Sequence, residues 1–212
     1  MLIDILARGQ YGKTNLRIQM RAGDMTGQAH QKENHPGKGD PVDDLPTKPD
    51  DLFRVLDRLE IAYTVHHHPA VFTVKESELI EKDIPGAHCR NLYLRDKKKK
   101  NFLVVAMNET TVDLKTLQAE IESDRLSFGS AERLFEFLGV RPGSVCPFSI
   151  INDPDRLVRL ILDKAMMQKK QVNYHPLDNR MTVGLSPDDL LKFIDFCGHT
   201  PHIIDFEGHG NA

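Results

Sequence analysis

Cysteine is scarce in this chain. Cys89, Cys146 and Cys197 are odd in number and widely spaced, which argues against a disulfide framework and suits a reducing interior. Long apolar runs are lacking too. No stretch approaches membrane-spanning length, and the opening MLIDILARGQYGK has too short an apolar run for a signal h-region. The expectation is a soluble cytoplasmic protein with no membrane partner. Charge of one sign is also missing: the formal net charge is −3, so any nucleic acid has to be met by a local basic patch. No internal repeat and no GxGxxG, Walker, CxxC or HExxH pattern occurs, which removes the common dinucleotide, nucleotide and zinc signatures.

What is present is ordinary globular material. With 212 residues, 40% hydrophobic and 28% charged, the chain suits one domain and an appendage. Residues 1–48 are rich in Gly, Pro, Asp, Lys and Gln with almost no apolar periodicity. Such a segment buries too little surface to offset its ordering entropy, so it reads as a flexible extension. Residues 49–206 form the expected folded domain, and 207–212 a flexible tail.

Within the domain, PDDLFRVLDRLEI spaces Leu52, Val55, Leu56 and Leu59 as a helix opened by proline and aspartates. AYTVHHHPAVFTV reads as extended pieces broken at Pro69, and KESELIEKDI as a short polar helix ended by Pro85-Gly86. NLYLRD and NFLVVAM flank Lys97–Lys100 as a β-hairpin. VDLKTLQAEI and SAERLFEFLGV are amphipathic helices, the second capped by Ser130 and stopped by Gly139. RPGSVCPFSIIND reads as turn, short strand, turn. LVRLILD, QVNYHP and RMTVGL are strands; Ser186-Pro187-Asp188-Asp189 opens a last helix that Gly198 ends, and IIDF is a final strand. Strands connected both by hairpins and across helices predict an α+β domain, a mixed sheet flanked by helices.

Four clusters carry chemistry. Lys97, Lys98, Lys99 and Lys100, flanked by Arg90 and Arg95, are either a solvated turn that blunts a sheet edge or a phosphate-gathering patch. His88-Cys89 would have to act as nucleophile and base from opposite faces of a strand, which disfavours a thiol hydrolase. His66-His67-His68 alternates likewise and lacks further ligands at zinc spacing. PGSVCP, with Gly143 and Pro147, makes a turn that can offer N–H groups to a carbonyl or phosphate oxygen, or can simply lead into the next element. In VNYHPLDN, His175 is held extended by the following proline and can line a pocket or cap a strand.

From Asp51 to about Asp205 the chain resembles the YbaK/ProX family, free-standing relatives of the bacterial prolyl-tRNA synthetase editing domain. DLFRVLDRLEIAYTVHHHPAVFTVKES, GAHCRNLYLRDKKKKNFLVVA, RLSFGSAERLFEFLGVRPGSVCPFSIIND, VNYHPLDN and LSPDDLLKFIDFCGH carry the resemblance, in family order. It looks closest to the branch that clears alanine from tRNA for proline. The resemblance implies a mixed, barrel-like sheet and a trans-acting deacylase that hydrolyses Ala-tRNA(Pro) without metal or cofactor. In that implied mechanism a ribose hydroxyl of the terminal adenosine helps water attack the ester. Cys-tRNA(Pro) is the alternative substrate, and a non-catalytic tRNA-binding module the alternative class.

By the same resemblance the G-x-x-x-P loop falls on Gly143, Ser144, Val145, Cys146 and Pro147, and positions the ester. Arg90-Asn91 stands where the family has Lys-Asn. Arginine keeps the charge but cannot shuttle a proton, which favours an electrostatic and positioning role. Val145 and Phe148 are the expected pocket walls, His175 a substrate contact, and Lys97–Lys100 a tRNA contact. The expected partners are the acceptor end of mischarged tRNA and, as a candidate, prolyl-tRNA synthetase.

Overall fold

The computed structural model describes residues 44–70 and 80–206. Helix α1 (Pro49–Arg58) begins with proline in its first turn and buries Leu52 and Leu56. The folded unit reaches back a little further than the apolar periodicity: Leu45 is buried, and the Thr47 hydroxyl donates to the Asn152 side chain at 2.6 Å. The remainder of the expected flexible extension, the tail, and residues 75–79 of the polar helix expected over 75–84 lie outside the described residues; of its other half, 80–81 are helical and 82–84 turn.

Eight strands build one mixed sheet: β1 (Tyr63–His67), β2 (Ala87–Arg95), β3 (Asn101–Met107), β4 (Ser127–Phe128), β5 (Val158–Asp163), β6 (Val172–Tyr174), β7 (Met181–Leu185) and β8 (His202–Ile204). Their order is β1-β7-β6-β2-β3-β5-β8, with β4 paired to the end of β2. Among the described residues β1 and β8 are the two ends of this path. Pairings β2–β3, β6–β7 and β1–β7 are antiparallel, whereas β2–β6, β3–β5 and β5–β8 are parallel. The expected mixed sheet flanked by helices is therefore the architecture.

The central strand explains its own composition. Leu103 and Val105 of β3 enter a larger core built with α1, α3 (Ala131–Leu138) and α5 (Pro187–Phe196). Phe102 and Val104 enter a smaller one against α2 (Leu114–Glu120) and β8. A strand covered on both faces has no polar side, hence the unbroken run NFLVVAM.

One element differs from expectation. Pro147–Asn152 is a 3₁₀ helix, not a strand. Pro147 opens it, the Ser149 hydroxyl donates to the Cys146 carbonyl at 2.6 Å, and Phe148 and Ile150 turn inward. A short apolar run fits a buried helical turn as well as a strand, so periodicity cannot arbitrate. A further short helix, α4 (Lys164–Met167), follows β5 directly, and the Asp163 carboxylate accepts from the Ala165 N–H at 2.9 Å to cap it.

Candidate active site

Side chains from β2, β6 and β7 meet at a hollow of about 50 Å³. Strand alternation sets Cys89 and Asn91 on the larger-core face of β2, with Tyr93. Parallel pairing of β2 with β6 aligns His88 with Asn173, and Tyr174, His175 and Thr182 continue the wall. His68, at the exit of β1, and Ile80 and Glu81 complete it. The Asn173 amide donates to the carbonyls of Pro85 (3.0 Å) and Ala87 (3.3 Å), fixing the approach to β2.

The histidines are held in defined orientations. His68 places Nδ1 2.9 Å from the Pro69 carbonyl and Nε2 3.0 Å from the Thr182 hydroxyl. His175 Nδ1 lies 2.9 Å from the Met181 carbonyl. A carbonyl only accepts, so in the neutral ring Nδ1 carries the hydrogen and Nε2 is the acceptor. Burial lowers the pKa of His175 below its ordinary 6.5; the Met181 bond opposes this and nearby His68 adds to it. His175 is accordingly uncharged at neutral pH.

Asn91 stands out in this wall. Its Oδ1 is buried and has no hydrogen-bond partner among the described residues. Nearby thiols offer no nucleophile: burial pushes Cys89, Cys146 and Cys197 each up to about 12, whereas attack requires the thiolate.

The 143–147 turn lies beyond the β6–β7 connection from this hollow. Gly143 adopts φ +93° and faces the side chain of Asn179, four residues past His175. The Ser144 N–H donates to the Arg141 carbonyl at 3.0 Å. Val145 is half-buried against the larger core, while Cys146 and Pro147 are buried. Phe148 is fully buried, edge-on to Tyr174 (6.0 Å) and Phe193 (5.3 Å). It backs Tyr174 from the core and presents no open surface of its own.

Two expected contributors stand apart. Arg90 shares a face of β2 with Leu92 and Leu94, which pack on the smaller core, and its guanidinium donates to the Thr110 carbonyl. Lys97–Lys100 are exposed at the hairpin tip, with Lys98 3.0 Å from Asp124. Four strand steps separate Asn91 from Arg95 at the end of β2, about 13 Å at about 3.3 Å each, and the lysines lie past that end. The structure thus gathers Asn91 and His175 at the hollow, whose lining includes neither Phe148 nor any residue of the 143–147 turn, and sends Arg90 and the lysines elsewhere. His68, His88, Asn173, Tyr174 and Thr182 join the wall, although the residue pattern alone does not single them out as contributors. The alternation of β2 and β6 is readable from sequence, but their pairing is not.

Beside the hollow, an open groove of about 700 Å³ runs past Pro85, Gly86 and Ala87 to Met107 and Glu109, with Lys169, Lys170 and Gln171 along it. Ala87 there adjoins His88 of the hollow.

The family described as the aminoacyl-tRNA editing domain matches residues 68–193. The chain belongs to that family, and its enzyme class is aminoacyl-tRNA hydrolase. Among its relatives, the prolyl-tRNA editing protein ProX of Acetoanaerobium sticklandii is 41% identical over 151 residues, 71% of this chain and 92% of that protein. Prolyl-tRNA synthetase associated domain-containing protein 1 of Mus musculus is 37% identical over 162 residues, 74% of this chain and 95% of its own. A solved structure described as a candidate trans-editing enzyme for prolyl tRNA synthetase shares the fold. Its TM-score is 0.55 at 21% identity, covering 73% of this chain and 94% of that one. Among the described residues no helix is long and apolar enough to cross a membrane.

Proposed function

We propose that this protein acts in trans on mischarged tRNA for proline, hydrolysing the aminoacyl ester, with Ala-tRNA(Pro) as its preferred substrate. The observation that carries this reading is the size of the hollow. At about 50 Å³ it has room for only a few waters, each needing about 10–15 Å³ of such space, which suits a methyl side chain better than a pyrrolidine ring. A synthetase pocket shaped for proline rejects a smaller residue weakly, because missing apolar contacts are worth only about 1–3 kcal/mol. A second chamber that excludes proline by size supplies the missing discrimination. The relatives whose names carry prolyl-tRNA editing and prolyl-tRNA synthetase association support both the tRNA and the synthetase as partners.

In the reaction, water adds to the ester carbonyl and the bond to the ribose oxygen breaks. That oxygen takes a proton, giving the free amino acid and deacylated tRNA. A neighbouring ribose hydroxyl assists the water. The turn from Gly143 to Pro147 aligns the ester and offers N–H groups to its carbonyl oxygen. His175, uncharged, presents an acceptor without adding positive charge. The groove beside Lys169 and Lys170 receives the terminal nucleotide and its phosphate.

A deacylation panel tests the reading: Ala-, Cys- and Pro-tRNA(Pro), with Ala-tRNA(Ala) as the change of tRNA body. Rapid loss of alanine with proline left intact is expected. Proline release at the alanine rate would defeat the size sieve, and faster release of cysteine would move the preferred substrate to Cys-tRNA(Pro).

A further inference from the structure

Several groups in the wall of the hollow accept hydrogen bonds. Asn91 Oδ1 is a carbonyl oxygen, able only to accept. It is buried with no donor among the described residues, on a strand paired on both sides, to β3 and β6. Its ladder partner is Val105, whose side chain has nothing to donate. His175 commits its Nδ1 hydrogen to Met181, which leaves an acceptor nitrogen on the ring. Glu81, also in the wall, brings a carboxylate, one oxygen of which accepts from Asn108 at 3.0 Å. A buried acceptor without a partner is costly, so a native structure that retains one in a cavity wall calls for a donor from a ligand.

We infer that Asn91 reads the free α-ammonium of the aminoacyl group, its buried Oδ1 accepting one N–H, so that the enzyme takes aminoacyl esters and refuses esters lacking that ammonium. The inference rests on the proposed deacylase activity and names what the same chamber recognises beyond a small side chain. An ammonium fits because it has three donors, no acceptor and a positive charge. The ester carbonyl, which only accepts, would leave Oδ1 unpaired. A ribose hydroxyl can donate, so the test has to hold the ribose constant. A site built to bond a polar group rejects the analogue lacking it far more strongly than an apolar pocket rejects a missing methylene. Discrimination against N-acylated or amine-free esters is therefore the signature.

The experiment compares alanyl-tRNA(Pro) with propionyl-tRNA(Pro), in which hydrogen replaces the ammonium and everything else is kept. Wild-type enzyme should prefer the alanyl ester by about 100-fold in kcat/KM. Asn91→Leu, which keeps the side-chain volume, should lose about 10- to 100-fold on the alanyl ester and stay within about twofold on the propionyl ester. Asn91→Asp, which supplies an acceptor with charge, should keep the preference. Wild-type hydrolysis of both esters at one rate overturns the inference alone, as does an equal loss on both in Asn91→Leu. Hydrolysis of neither by the wild type overturns the deacylase reading with it. If Asn91→Leu fails to fold, the wild-type pair and Asn91→Asp still decide, since loss of the preference in the aspartate variant counts against an ammonium contact.

Discussion

Arg90 and Asn91 are adjacent in the chain and leave β2 on opposite faces. Asn91 enters the hollow. Arg90 reaches the Thr110 carbonyl, and the Thr110 hydroxyl passes a bond to the buried Asp163 carboxylate at 2.5 Å. That same Asp163 oxygen accepts from the Met107 N–H at 3.3 Å, while the other caps α4. Asn91 meets the hollow; Arg90 braces the exit of β3, where Glu109 borders the groove. This division is compatible with arginine at a position where the YbaK/ProX resemblance implies lysine: holding a carbonyl needs only a donor, which either cation supplies.

The brace predicts a graded series. Arg90→Ala should cost about 1.5–3 kcal/mol of stability, the range for a hydrogen bond with a charged partner, and should lower deacylation by loosening the groove. Arg90→Lys should keep most of both. Asp163→Ala, which strands donors in the interior, should cost more, about 3 kcal/mol. Urea unfolding run beside deacylation kinetics checks the order. An alanine variant of Arg90 with unchanged stability and rate would make the brace idle.

Glycines near the site separate two kinds of cost. At Gly143 the backbone is left-handed, φ +93°, and a Cβ would meet only Asn179 Nδ2 at 3.5 Å. Gly143→Ala should therefore lose about 1–2 kcal/mol through strain and disturb the ester-aligning turn. At Gly184 the obstacle is space: a Cβ would fall 2.4 Å from Gln171 Nε2, 2.7 Å from Asn173 Oδ1 and 2.8 Å from Thr64 Oγ1. Those side-chain ends can move, so Gly184→Ala should cost less in stability than in activity, because Asn173 lines the hollow. Thermal unfolding and kcat/KM for the pair distinguish strain from crowding.

How much of this can be read from residues alone follows from how local each cause is. The α3 and α5 boundaries are legible because their caps are local: Ser130 accepts from the Arg133 N–H at 3.3 Å, Gly139 takes φ 62°, and Ser186 accepts from the Asp189 N–H at 3.1 Å. The β2–β3 hairpin is legible for the same reason. The 3₁₀ turn at Pro147–Asn152 is not, since its stop is a tertiary need to bury Phe148 against Tyr174 and Phe193. Arg90 and Asn91 can be singled out as a pair, but only the sheet decides which face is the chamber. Asn173 and His175 arrive there through a parallel pairing to a strand about 80 residues earlier, a non-local step that no short motif announces.

His175 sets a pH dependence whose sign is fixed by its burial. The unfolded ring titrates near 6.5, and the folded ring only at lower pH. Between the two values the unfolded chain holds more protons, so stability rises with pH through that window. The contribution is intact above 6.5 and is lost as pH falls through the folded value. His175→Gln should flatten the stability profile on the acid side of the ordinary 6.5. Activity toward Ala-tRNA should fall over the same acid limb, as a charged ring repels the ammonium. An unchanged slope in the glutamine variant would show that the proton is taken up elsewhere.

The hairpin lysines face a last test, one that separates attraction from direct engagement. They stand past the end of β2, whose last residue is about 13 Å along the strand from Asn91, so they reach an acceptor stem and not the ester. Lys98 already has Asp124 at 3.0 Å, which raises its pKa and keeps it charged while offering a phosphate less. Replacing Lys97, Lys99 and Lys100 with serine should weaken tRNA binding and leave turnover at saturating tRNA unchanged. The slope of log affinity against log salt should become shallower by about one for each phosphate no longer neutralised. Lys98→Ser alone should move the slope least. Replacing Lys169 and Lys170, which border the groove beside the hollow, should instead raise KM even for a short acceptor-stem substrate. If the triple variant keeps the wild-type salt slope, the run is only a solvated turn, and since β2 and β3 lie inside the sheet it guards no edge; the tRNA then approaches from the groove alone.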